Sequence, residues 1–352
     1  MNNLEEQQHS LLVHSTLRIH LIDFFNPFDH PILLVKLKEK LTSKKRKAFS
    51  LNFEHVGTMG VFEQFGNSNE LFDYPFDVKI SYLLECIVVS DTYNHRIQCF
   101  HLETRKYLAT LKTLAAEPTN LCIEEDCVIG EERVAVFLGC NENSRVYKYN
   151  LCKVLASQTK SAQDTYDSCG IWTSSAQFFH PRGMALWQND ANEHLLFVCD
   201  YLNDSIKVLL SSTGEQVQCI NNFTAPWNIA FSTFGELIVS EMSQQSKITM
   251  LKRNDEEWHV FLEFGHSTTE NTNFQFPCNL WYDRVSDRII IGDGDNFRIQ
   301  IFTRSGFLVK SICGKDFQTE QSFEQMVGLC VNELSGELIL CDSANNRIQL
   351  YR

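Results

Sequence analysis

The chain has no long hydrophobic run. Across 352 residues the apolar stretches are only a few residues each, too short for a membrane-crossing helix. Its start carries Glu5 and Glu6 where a signal peptide would place basic residues before an apolar core, so no export leader is expected. No cysteine occurs in residues 1–50, which excludes a zinc module there. Cys122 and Cys127 have no second pair to complete a zinc site, and no metal or other cofactor is expected. Gly-x-Ser-x-Gly, a phosphate loop and His-Glu-x-x-His are all missing. The thirteen cysteines lie mostly in strand-like text such as Glu85-Cys86-Ile87, and without a leader they read as reduced, buried thiols of a cytoplasmic protein.

Positive charge is also scarce beyond the first fifty residues. Residues 1–50 carry a net charge of +3 and the remainder −16, so most of the chain should repel a phosphate backbone, and a nucleic-acid partner is not expected. The basic N-terminal segment reads as a short amphipathic helix. Asp29-His30-Pro31 supplies a cap and a first-turn proline, and Leu33, Leu37 and Leu41 form its apolar stripe.

What the remainder does have is repetition. Val88-Val89-Ser90-Asp91-Thr92-Tyr93-Asn94-His95-Arg96-Ile97 is a strand, a polar turn and a returning strand. The same text recurs around Asp293, Asn296 and Arg298, and again around Asp342, Asn345 and Arg347. Asp200 and Asn203 mark a further copy; two weaker copies place Cys140 and Glu241 at the Asp position. Proline supplies the register: of seven, five sit at one repeat position, Pro75, Pro118, Pro181, Pro226 and Pro277, and Met326 fills it in the last copy. Pro75 precedes Asp91 by 16 residues, as Pro277 does Asp293 and Met326 does Asp342. Six copies of about 45 residues, each with three or four strands, predict an all-β, six-bladed propeller over residues 51–352, preceded by a partly helical segment at 1–50. The last copy lacks a fourth strand, and Phe53 to Met59 is expected to supply it.

Asp-x-x-Asn-x-Arg-Ile between two strands, with proline upstream, resembles the NHL repeat, and the likeness covers about residues 53–352. NHL repeats build six-bladed propellers, which agrees with the count. One NHL-like family is a peptide-amidating lyase with metal held by histidines from several blades. Here only His180 directly precedes a repeat proline, so the resemblance implies no such centre and no enzyme. Leu21 to Asp29 resembles the opening helices of an F-box, which would make the chain a recognition subunit of a ubiquitin ligase.

The repeat residues Asp91, Asn94, Arg96, Asp200, Asn203, Asp293, Asn296, Arg298, Asp342, Asn345 and Arg347 are expected to be architecture: Asp bonding the turn's N–H groups, Asn taking the left-handed position, Arg pairing across the hairpin. A binding site should instead use residues that differ between blades. Around the prolines these are Tyr74, Phe76, Asp77, His180, Arg182, Trp227 and Asn228. Their mixed aromatic and polar character leads to the expectation of a monomeric, non-catalytic scaffold that binds a protein or peptide on that face. A ligand sensor or lyase using the axial pocket is the alternative.

Overall fold

A computed structural model of the chain describes residues 46–114, 117–128, 131–156, 162–189, 193–255, 257–265, 272–318 and 321–352. The N-terminal amphipathic helix and the F-box-like text lie outside these residues. The described residues form six four-stranded antiparallel sheets, arranged as the blades of a propeller. The inner strands are Pro75–Ser81, Pro118–Val128, Pro181–Gln188, Pro226–Phe231, Pro277–Asp283 and Met326–Asn332. Strand His55–Gly60 pairs with Arg347–Tyr351 and so becomes the outer strand of the last blade, joining the two ends of the ring. The cores lie between blades, where strands such as Cys86–Asp91 and Glu337–Asp342 are buried along their whole length. The twelve described cysteines are unbridged.

Two features add to the sequence reading. Glu124-Glu125-Asp126, extra residues relative to the other copies, lengthen the first hairpin of blade two, whose strands run Pro118–Val128 and Glu131–Cys140. In the same blade the third and outer strands are linked by two short helices, Leu151–Ala156 and Ala162–Cys169, whose Leu151, Val154 and Cys169 enter the core shared with blade one.

The repeat carboxylate is fully buried in every blade that carries Asp. Asp91 pairs in register with Arg96, whose Nε donates to Oδ2 at 2.7 Å; the same oxygen accepts from Asn94 at 2.9 Å. Oδ1 accepts from the backbone N–H of Asp73, in the loop entering the inner strand, at 2.7 Å. Asp293 and Asp342 repeat this arrangement with Arg298 and Arg347. In blade three Asp200 accepts from Phe179 N–H and Asn203, and Lys207 replaces the arginine. Two expectations are corrected here. Asp bonds the entry loop rather than the turn's own N–H groups. The left-handed residue is the one after Asn (His95, Asp204, Phe297, Asn346), because the Asn amide is committed to Asp. In blade four Glu241 reaches the equivalent loop N–H, that of Thr224, at 2.6 Å.

Removing Asp293 takes the ion pair from half-buried Arg298 and leaves the loop N–H groups of Gln275 and Phe276 without their acceptor. Asp293→Ala is expected to cost about 3 kcal/mol in urea unfolding. A loss below about 0.5 kcal/mol would mean that the loop is anchored elsewhere.

Blade two has Cys140 instead of an acid, and an ion cluster fastens it to blade three. Glu124 binds Lys148 Nζ at 2.5 Å, His194 Nδ1 at 3.1 Å and Ser211 Oγ at 2.6 Å. Burial pushes the Glu124 carboxyl up, but the His194 hydrogen bond and the charge of Lys148 outweigh it and hold the group at about 2. A carboxylate depressed on folding adds stability above its unfolded pKa, near 4.5, and that stability fades as pH falls toward 2. The destabilisation caused by Glu124→Gln, on the order of 3 kcal/mol at pH 7, should therefore shrink steadily between pH 4.5 and pH 2. Chemical denaturation of both proteins across that range checks it, and a pH-independent difference would refute it.

Candidate functional site

The site is made by one backbone irregularity repeated six times. In each inner strand the pairing register slips immediately after the repeat proline, or after Met326 in the last blade. A bulge bends its strand and re-aims a side chain, and here the residue after the proline carries the extra position. Those residues are Phe76, Thr119, Arg182, Trp227, Cys278 and Val327. Phe76, Trp227, Cys278 and Val327 meet in one buried apolar cluster on the proline face, drawn from four blades. The residues before the prolines are held unusually: Tyr74, Glu117, His180 and Ala225 all have φ between 49° and 60°, although proline disfavours helical backbone in the residue ahead of it.

One residue further along lie Asp77, Asn120, Gly183, Asn228, Asn279 and Gly328, which join blade to blade. Asp77 accepts from Lys79 Nζ, its own neighbour Val78 and the Leu121 N–H of blade two. Asn228 accepts from Ile229 N–H and donates to the Cys278 carbonyl of blade five. A Cβ on Gly183 would stand 2.5 Å from Asn228 Cα, and one on Gly328 2.5 Å from Asp77 Cα, so glycine permits the inner strands to touch. Asp77 and Asn228 are thus spent on inter-blade bonds. Asn120 and Asn279 each retain a buried amide oxygen without a partner. Among the described residues no three His, Cys, Asp or Glu side chains cluster closely enough to hold a metal ion.

The remaining candidates converge on Arg182. Its guanidinium lies 4.3 Å from the Trp227 ring, 5.3 Å from Phe76 and 5.9 Å from Tyr201. The residue is 8% exposed, and Nε and Nη1 are buried with no hydrogen-bond partner. Burial lowers its pKa to about 10, so it stays charged at neutral pH. Trp227, 6% exposed, packs edge-on to Tyr201 and Phe276, and its Nε1–H is also unpartnered. His180 lies beside Phe179, its Nδ1 is buried and unpartnered, and burial together with the Arg182 charge lowers its pKa below 6.5. Tyr74, half-buried at the rim, stacks on Tyr93 with ring centres 5.1 Å apart.

Tyr201 and Met242 join this group without having been anticipated. Each follows the repeat acid directly, where other blades have Thr92, Gly294 and Ser343, so comparing blades at that position would have found them. On the opposite face a groove of about 540 Å³ between blades four and five is lined by Phe261, Asp287, Arg288 and Arg304. There Arg304 is already paired with Glu236 and Asp287.

No family model matches the chain, and no curated protein matches it. Among solved structures, a structural-genomics protein provisionally named a gluconolactonase aligns over 87% of this chain and 97% of its own, at 13% identity and a TM-score of 0.57. A gluconolactonase of Xanthomonas campestris aligns over 88% and 94%, at 10% identity and a TM-score of 0.58. At such identities the likeness shows the fold, a six-bladed propeller of this type. It also corrects the expectation of a non-catalytic scaffold or ubiquitin-ligase subunit: the propellers that superpose on nearly the whole chain bear the names of enzymes.

A buried cation without hydrogen-bonded partners is a liability to the fold. Arg182→Met, which keeps the hydrophobic stem and removes the charge, should leave the Tm unchanged or raise it. A loss above about 2 kcal/mol in thermal or urea unfolding would make Arg182 a structural residue.

Proposed function

We propose that the chain is a hydrolase that opens a carboxylic ester or lactone of a small molecule on the proline face of the propeller axis. The observation that carries this is the meeting of two unpartnered kinds of donor, Arg182 and Trp227 Nε1–H, with an unpartnered imidazole nitrogen, His180 Nδ1. Donors aimed at developing charge in a dry site are what acyl transfer needs. Neutral His180 takes a proton from water as its oxygen adds to the carbonyl carbon. The carbonyl oxygen gains the negative charge opposite Arg182 and Trp227. Collapse of the tetrahedral intermediate breaks the C–O bond, and His180 returns the proton to the departing alkoxide, leaving an acid and an alcohol. The names of the two superposable propellers agree with this reaction class. The Asp-x-x-Asn-x-Arg turns support reading the underlying repeat as NHL-type.

The lowered His180 pKa keeps the base unprotonated to below pH 6.5, so the rate should fall on the acid side of that value, and on the alkaline side only where Arg182 loses its charge, at about 10. Full-length protein in a pH-stat, given δ-gluconolactone and dihydrocoumarin, is expected to open at least one of them faster than buffer does. His180→Gln and Arg182→Met should each lower kcat by about 100-fold or more. No rate above buffer on either lactone, or full activity in His180→Gln, would refute the reading.

A further inference from the structure

We infer that the Arg182 site selects an apolar molecule bearing one planar anionic or carbonyl head, a carboxylate or lactone on an aromatic or aliphatic body, and rejects polyhydroxylated acids and their lactones. The inference rests on the reading of the proline face as the active site and adds the substrate class.

The walls decide it. The guanidinium faces the rings of Phe76, Tyr201 and Trp227, and the apolar cluster these belong to adds Cys278, Val327 and Met242, so the walls offer hydrocarbon, sulfur and ring faces. The polar atoms at the edge are already used. Tyr74 O–H donates to Gln325 Oε1, and Thr119 Oγ1 donates to the Gly139 carbonyl. The free donors are Nε and Nη1 of Arg182 and Nε1 of Trp227, enough to hold one planar oxygen pair; His180 Nδ1 and the Asn120 and Asn279 amide oxygens are also left unpartnered on this face. A sugar acid would bury a row of hydroxyls against ring and hydrocarbon walls that offer too few partners for them, and a site short of matching partners discriminates against such groups. An aryl or alkyl body loses nothing there and stacks on the rings. Entry requires side-chain movement, because the free nitrogens are closed to solvent. Tyr201 is half-buried, lies in a turn of the proline face and has its ring 5.9 Å from the guanidinium, so a rotamer change of Tyr201 is the movement expected to admit a ligand.

Titration calorimetry with full-length protein and three probes, phenylacetate, gluconate and inorganic phosphate, tests this without requiring turnover. Phenylacetate should bind one to one, gluconate and phosphate at least 30-fold more weakly. Arg182→Met should lose phenylacetate binding while keeping its melting transition, and Arg182→Lys should retain part of it. Gluconate binding as tightly as phenylacetate would overturn the selectivity and leave the hydrolase reading standing. Binding of none of the probes, or phenylacetate binding untouched by Arg182→Met, would overturn the anion site itself. In that event the lactone assay above still decides whether the protein is a hydrolase.

Discussion

The propeller depends on a buried carboxylate that ties together three pieces of backbone far apart in each repeat. Asp91 holds the loop at Asp73, the turn at Asn94 and the third strand at Arg96 through two oxygens. None of these pieces could fix the others alone: the turn is short, and the loop leads in from the strap Gly66–Leu71, whose carbonyls also receive the Arg96 guanidinium. The charge is tolerated at 0% exposure because both oxygens accept hydrogen bonds and the arginine neutralises it. Blade four shows how much variation the device accepts. Glu241 is one methylene longer, still reaches the loop N–H, accepts from the Thr249 hydroxyl, and keeps a cation in Lys247, 3.7 Å away. Blade two dispenses with the acid, and there the ion cluster of Glu124, Lys148 and His194 fastens it to its neighbour.

That device explains why so much of the fold was legible in the chain. Proline and Asp are punctuation with a physical reason at a fixed distance, and 16 residues is the length of an inner strand, its return turn and the second strand. The helices at 151–169 were not legible, because they replace a link between outer strands whose text carries no repeated constraint. Half of the candidate site was legible too. The rule that function sits where blades differ led to Phe76, Arg182 and Trp227, which meet at the axis. It also led to Asp77 and Asn228, which vary for a different reason: the step after the bulge turns them toward the next blade, where glycine in two positions lets strands touch. That Arg182 lacks a hydrogen-bonded partner could not be read from text, since a partner acid could have come from any of six blades.

The site follows from breaking the repeat's own logic. Elsewhere among the described residues buried charges are commonly answered by opposite ones, as Asp with Arg or Lys in the turns, Glu124 with Lys148, and Glu333 with Arg46 and Arg284, while buried Asp283 is satisfied by N–H and hydroxyl donors. At the axis the protein surrounds a guanidinium with rings, which attract a cation through their faces but fill none of its hydrogen bonds. The difference matters chemically. A carboxylate at that place would consume the donors; aromatic faces hold the cation in position and leave its N–H edge available. The strained backbone ahead of Pro75 and Pro181 belongs to the same arrangement, since Tyr74 and His180 hold positive φ immediately before the slipped strands. A rigid ring of blades, five locked by a buried repeat acid and one by an ion cluster, can carry such an uncompensated group because the loss is confined to one blade. The other five continue to hold the inner strands where they are, so the site keeps its geometry without having to stabilise it.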